Sequence, residues 1–160
     1  MRAIAKEAGV DPSLPRHYFP SKSALFVEAL GPLDQIEGNL ERVIAGPVDR
    51  LGDRLVGAFL DAWDSPELSA RMMILVQSAV GVPEIAAIAR TVLLERVFLR
   101  VALAVGPEDA DARAAAALSQ MLGLVVTRYI LRVEPIASAT REQLILRFGP
   151  ASQRLITGTT

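Results

Sequence analysis

The chain has no cysteine, one histidine, one tryptophan and two tyrosines in 160 residues. The absence of cysteine excludes disulfides and thiolate metal sites and suits a reducing cytoplasm. With His17 as the single imidazole, a Ser-His-Asp triad would have to be built on that residue. No G-x-S-x-G elbow, Walker loop or dinucleotide fingerprint is present either. No enzyme, cofactor or metal site is therefore expected. Charge of one sign is also missing. Seventeen Lys and Arg against eighteen Asp and Glu leave a net charge of −1, so contact with nucleic acid would need a local basic patch. Long apolar runs are lacking too. The longest, over 72–82, is interrupted by Gln77 and Ser78, too short to span a bilayer. The opening "MRAIAKEAGV" carries Lys6 and Glu7 where a signal peptide would be apolar. The expectation is a soluble cytoplasmic protein with no membrane partner.

What is present is helical. Hydrophobic residues make up 51% of the chain and aromatics 5%, and β-branched residues seldom alternate with polar ones. That balance favours helix over sheet. Gly-Pro pairs at 31–32, 46–47, 106–107 and 149–150 act as breakpoints, because glycine closes helices and proline cannot continue them. Leu51, Leu55, Ala58, Phe59 and Ala62 form one stripe of a helix over about 48–63. Ser65 is placed to cap the next helix and Pro66 to begin it. Pro83 opens a further helical region, with room for a bend, reaching about 105. Residues 106–135 read as one long helix ending near Arg132, apolar on most sides from Ala114 to Leu131. Such a helix must be buried on most sides, and a second copy of the chain is the expected cover for one of them. Thr140 and Gln143 form a T-x-x-Q capping box for a last helix carrying Leu144, Ile145 and Phe148.

The densest signal is "AGVDPSLPRHYFPSKSALF" at 8–26. Ile4, Ala5 and Ala8 share one face of a short helix, and Gly9 supplies a turn. Asp11 caps, Pro12 takes the first helical position, and a second helix runs to about Phe19. Pro20 then breaks the chain, Ser21 caps, and a third helix carries Leu25, Phe26 and Ala29. Helix, glycine turn and capped helix describe a helix-turn-helix, whose second helix is built to enter a DNA major groove. Pro15 lies in the first turn of that helix, where it forfeits about one backbone bond.

Arg2, Ile4, Ala5, Ala8, Gly9, Val10, Tyr18, Phe19, Ser21, Lys22 and Leu25 stand in the register of the signature of the TetR family of bacterial transcriptional repressors, which this stretch resembles. The resemblance places Pro12, Ser13 and Leu14 at base-facing positions, Arg16, Tyr18 and Lys22 at phosphate contacts, and His17 toward the groove. Pro15 stands where an aliphatic residue is usual, Arg16 where Tyr is frequent and Leu14 where Thr is frequent. Family members carry a further helix ahead of this motif, and the sequence begins after it. The expectation is that this first helix lies upstream, since a two-helix head would leave Ile4, Ala5 and Ala8 uncovered. The alternative is that Met1 is native and the head incomplete.

The resulting expectation is an all-α chain in two parts, a partial DNA-binding domain over 1–32 and a regulatory and dimerisation domain over 33–160. Its partners would be double-stranded DNA at a palindromic operator, a second copy paired through helices near 108–132 and 140–148, and a small-molecule effector that releases the DNA. Trp63, Met72, Met73, Gln77, Ser78, Phe98 and Gln120 are candidates to line an effector cavity, or else ordinary core. Arg128 and Tyr129 fit a ligand contact, a dimer contact or a snorkelling pair. The rival reading is a helical dimeric ligand- or partner-binding module that has lost DNA binding.

Overall fold

The computed structural model describes residues 6, 9–11, 13–19, 21, 24, 25, 28 and 34–158, the side chains of 15, 16 and 34–37 excepted. Among these the chain is all helix, with no strand. The head helix α1 spans Leu14–Tyr18. It is followed by α2 (Asp34–Ile44), α3 (Leu51–Asp64) and α4 (Pro66–Gly81). A nearly continuous rod then comprises α5 (Pro83–Ala89), a π-helical stretch (Arg90–Phe98) and α6 (Leu99–Val105). Next come α7 (Ala110–Val125), with a π-helical extension (Val126–Ile130), and α8 (Arg141–Thr157). The Ile4, Ala5 and Ala8 face and the Gly31-Pro32 pair fall outside the described residues.

Local chemistry accounts for most boundaries. Pro66 and Pro83 each sit in the first turn of their helix. The Thr140 hydroxyl accepts from the Gln143 N–H at 3.3 Å while the Gln143 side chain accepts from the Thr140 N–H at 2.9 Å, the capping box expected from T-x-x-Q. Ser65 departs from expectation, since its side chain makes no cap hydrogen bond and Pro66 alone marks the start. The long helix is shorter than its pattern suggests. Asp109 takes a left-handed conformation before Ala110, and Arg132 does so (φ 53°) after Ile130.

Gly149-Pro150 does not break the chain, as its composition predicts; both residues lie inside α8. The reason is tertiary. α8 lies along α3, and Gly149 comes so close to Asp53 that a Cβ there would strike the carboxylate. Reciprocally, a Cβ on Gly52 would stand 2.5 Å from the Gln153 backbone nitrogen. Packing of this kind outweighs a local helix penalty, and the bond Pro150 cannot make falls on the exposed side, beside exposed Leu146.

Two connected apolar clusters form the interior. One gathers Leu55, Leu60, Val101, Met121, Leu144 and Ile156 between α3, α6, α7 and α8. The other gathers Trp63, Leu68, Met72, Leu75 and Val92 between α3, α4 and the π-helical rod, with Phe59 packed against both.

Candidate effector cavity and DNA-binding head

In the head, Gly9 has φ +65°, the turn conformation glycine adopts without strain. The Asp11 carboxylate accepts from the Ser13 backbone N–H at 2.8 Å and from its hydroxyl at 2.5 Å. The Ser13 hydroxyl, then its backbone N–H, hold the Asp11 carboxyl below the usual range. This cap starts α1 despite Pro15 in its first turn. Ser21 caps the following turn, its hydroxyl accepting from Ala24 N–H at 2.9 Å. Ser13, Leu14, His17 and Tyr18 are all exposed, Tyr18 at 68%, and the His17 and Tyr18 rings meet edge to face at 5.2 Å. Arg16 lies within α1, its side chain undescribed, while Pro12 and Lys22 fall outside the described residues.

A cavity lies between α2, α3, α4, the π-helical rod and α7. Leu55, Ala58, Phe59, Ala62 and Trp63 line it from α3 because they recur at three- and four-residue steps. Leu118, Leu122 and Val125 do the same from α7, and Leu40 and Val43 close it from α2. Its free volume is about 90 Å³, several times the roughly 10–15 Å³ that a single buried water needs. Among the described residues, Asn39 and the Trp63 indole are the only polar side-chain groups in the wall. Such a surface favours an apolar ligand and penalises a buried charge.

Both π-helical segments adjoin this space. Arg90–Phe98 contributes Leu93, Val97 and Phe98, and Val125 directly precedes the second segment. Each closes with a five-residue hydrogen bond, Leu99 N–H to Leu94 C=O and Leu131 N–H to Val126 C=O. The extra residue per turn widens the helix at that level, a distortion frequent at functional sites.

Of the expected ligand residues, the structure brings Trp63, Met72 and Phe98 together in the wall. Met73 packs in the second apolar cluster, and Gln77 is exposed. Gln120 faces α8, accepting from the Ser152 hydroxyl at 2.9 Å and donating to the Phe148 carbonyl at 3.3 Å. These three are not in the wall, and neither is Ser78. Asn39, Leu40 and Val43 were missed because their helix gave no contact partner in the sequence. The four-residue step from Leu118 to Leu122 was visible, but on a helix apolar nearly all round it singled out no face.

Tyr129 stacks on Trp63 at 5.3 Å and donates its hydroxyl to Asp64 at 2.9 Å. Burial first, then Asp64, pushes the phenol up to about 12. Arg128 approaches the same ring at 5.4 Å while donating to the carbonyls of Ile136, Ala137 and Ala139. Within the chain, Tyr129 buttresses the cavity's tryptophan and Arg128 organises the turn before α8.

Residues 1–29 match the family described as bacterial regulatory proteins, tetR family. Residues 49–156 match the tetracyclin repressor-like, C-terminal domain. The chain belongs to the TetR family. Its fold is similar to the crystal structure of a TetR-family regulator from Streptomyces coelicolor A3. The two share 33% identity over 98% of this chain and 82% of the other, with a TM-score of 0.63. No curated protein matched. This TetR-family chain is thus a transcription regulator with a DNA-binding helix-turn-helix ahead of a helical C-terminal domain. No described helix is long and apolar enough to cross a membrane.

Proposed function

We propose that the protein is a cytoplasmic repressor that binds a palindromic operator as a homodimer and is released when a small molecule fills the apolar cavity. The observation that carries this reading is the cavity's composition. Its wall is almost wholly apolar, and part of it is α2, the first described helix after the head. A ligand touching Leu40 and Val43 would bias the position of that helix, and hence head spacing, by its differential affinity for the two states.

Dimerisation is supported by the outward face of α7. Ala112, Ala115, Ser119, Gly123 and Val126 recur there at three- and four-residue steps and are all exposed. Leu146 on α8 is 80% exposed. Small side chains let two helices approach closely, and a two-fold arrangement would cover both surfaces.

In the head, the base-facing positions are assigned to Pro12, Ser13 and Leu14, with His17 toward the groove. Arg16, Tyr18 and Lys22 are assigned to phosphates. The test is fluorescence anisotropy on the duplex flanking the protein's own gene, at several salt concentrations. Affinity should fall steeply with salt, and less steeply in Arg16→Ala or Lys22→Ala. Ligand-induced stabilisation with no duplex affinity above random sequence would instead identify a binding module without DNA function.

A further inference from the structure

Beside the apolar cavity lies a groove of opposite character, and the two share a wall. Asn39, Val43 and Ala58 line both. The groove runs between α2, α3 and α8 and carries four arginines, Arg42, Arg50, Arg54 and Arg141, against Asp53 and Asp61. Two of the arginines are neutralised in place. Arg50 pairs with Asp53 at 3.0 Å, and Arg141 grips both oxygens of Asp61 at 2.8 and 3.1 Å.

The other two have no carboxylate at ion-pair distance among the described residues. Among the described residues Arg42 donates only to the Asn39 side-chain carbonyl. Its helical neighbours one turn away are Gly38, Asn39, Ala45 and Gly46, so no acid stands at the positions where a helix would pair it. Arg54 donates from Nε to the Val43 carbonyl at 2.9 Å and from Nη1 to the Pro47 carbonyl at 2.7 Å. Its Nη2 is buried and has no hydrogen-bond partner among the described residues. A buried guanidinium N–H without an acceptor is costly, and a planar fork of this kind suits a carboxylate or phosphate oxygen.

We propose that the cavity's ligand is an amphipathic anion. Its apolar body lies among Phe59, Trp63, Val97 and Phe98, and its anionic head, a carboxylate in the simplest case, accepts from Arg54 Nη2 and Arg42 beside Asn39. The proposal rests on the cavity being the effector site and adds the charge of the effector. It also gives the ligand a direct hold on the C-terminal end of α2, because Arg54 already carries the Val43 carbonyl. The cavity's free volume of about 90 Å³ keeps that body small.

The test uses octanoate and its neutral counterpart octan-1-ol, followed by the fluorescence of Trp63, the one tryptophan in the chain. Octanoate should bind at least tenfold tighter than octanol, and added salt should weaken octanoate alone. Arg42→Gln, at an exposed position that leaves the fold intact, should bring octanoate to the affinity of octanol and leave octanol unchanged. Arg54→Lys, which keeps the charge but loses the fork, should weaken octanoate several-fold. Equal affinity for the two ligands, or octanoate binding indifferent to Arg42→Gln, would overturn the anionic head while leaving the cavity as effector site. If neither ligand perturbs Trp63, the cavity reading itself fails, and this proposal with it.

Discussion

Arg113 donates from Nη1 to the main-chain carbonyl of Ile156 at 2.7 Å, joining the first turn of α7 to the last turn of α8. The same guanidinium donates to Ala102 and Glu108 at 2.6–3.1 Å, and to the Gly106 carbonyl. Arg113 is only 8% exposed and faces no carboxylate at ion-pair distance among the described residues. Its charge is balanced by carbonyls at the C-terminal ends of α6 and α8, where helix dipoles are negative.

Arg113→Met should therefore cost about 2–4 kcal/mol, because several carbonyls lose their donor in a buried site. Arg113→Lys should recover only part of that loss, since an ammonium cannot reach four carbonyls in one plane. Urea unfolding of the three proteins measures both differences. A loss below about 0.5 kcal/mol for the Met variant would mean that water satisfies these carbonyls instead.

Gly52→Ala should be destabilising by about 1–3 kcal/mol. The added Cβ would stand 2.5 Å from the Gln153 nitrogen and 2.8 Å from its Cα, both backbone, so α3 and α8 would have to separate. The bond from Gly52 N–H to the Gln153 side chain, 2.6 Å, would lengthen with them. Gly38→Ala, in the interior of α2 with nothing within 4 Å among the described residues, should instead stabilise by about 0.5–1 kcal/mol through helix propensity. Thermal unfolding of the pair separates the effect of the helix crossing from that of glycine as such.

Ala62→Phe should fill the cavity from the α3 side. Octan-1-ol binding, read by Trp63 fluorescence, should weaken at least tenfold, while the helical circular dichroism signal stays that of the parent protein. Loss of the helical signal together with ligand binding would show that the substitution has disturbed the fold.

Tyr129→Phe tests the aromatic buttress through pH. The folded phenol is held up to about 12 by burial and Asp64, above its ordinary value of 10.0. The folded state therefore retains a proton that the unfolded state loses between those values. The resulting stability is complete below pH 10 and is lost as pH rises toward 12. The Phe variant should lack this alkaline decline, so the difference in Tm between the two proteins should shrink over that interval. An unchanged difference would mean that Tyr129 titrates in the folded protein as a free phenol does.

How much of this was legible in the sequence varies with how local the cause is. Gly9, Asp11 and Ser21 act within three residues of themselves, and each does what its position predicts. The Thr140–Gln143 box is equally local. Ser65 and Gly149-Pro150 are the failures of the same logic. At Ser65 the proline alone starts the helix, and at Gly149 the close approach of α3, distant in sequence, keeps the chain helical through Pro150.

The candidate site divides in the same way. Trp63, Met72 and Phe98 could be named as apolar residues of suitable size, but not told apart from Met73, Gln77 and Gln120, because helical periodicity gives a face and not its neighbour. Gln120 turns to Ser152 on α8, thirty-two positions away, a contact no spacing rule encodes.

By itself, then, the sequence determined the helical class, the caps and turns of the head, and the family register of residues 2–26, all of them consequences of interactions a few residues long. Only the tertiary structure decided where the cavity lies, that Asn39, Val43 and Ala58 line both it and an arginine groove, and that the buried Arg54 Nη2 has no partner among the described residues. Those facts depend on which helix faces meet, and side chains far apart in the chain settle that through packing and desolvation together.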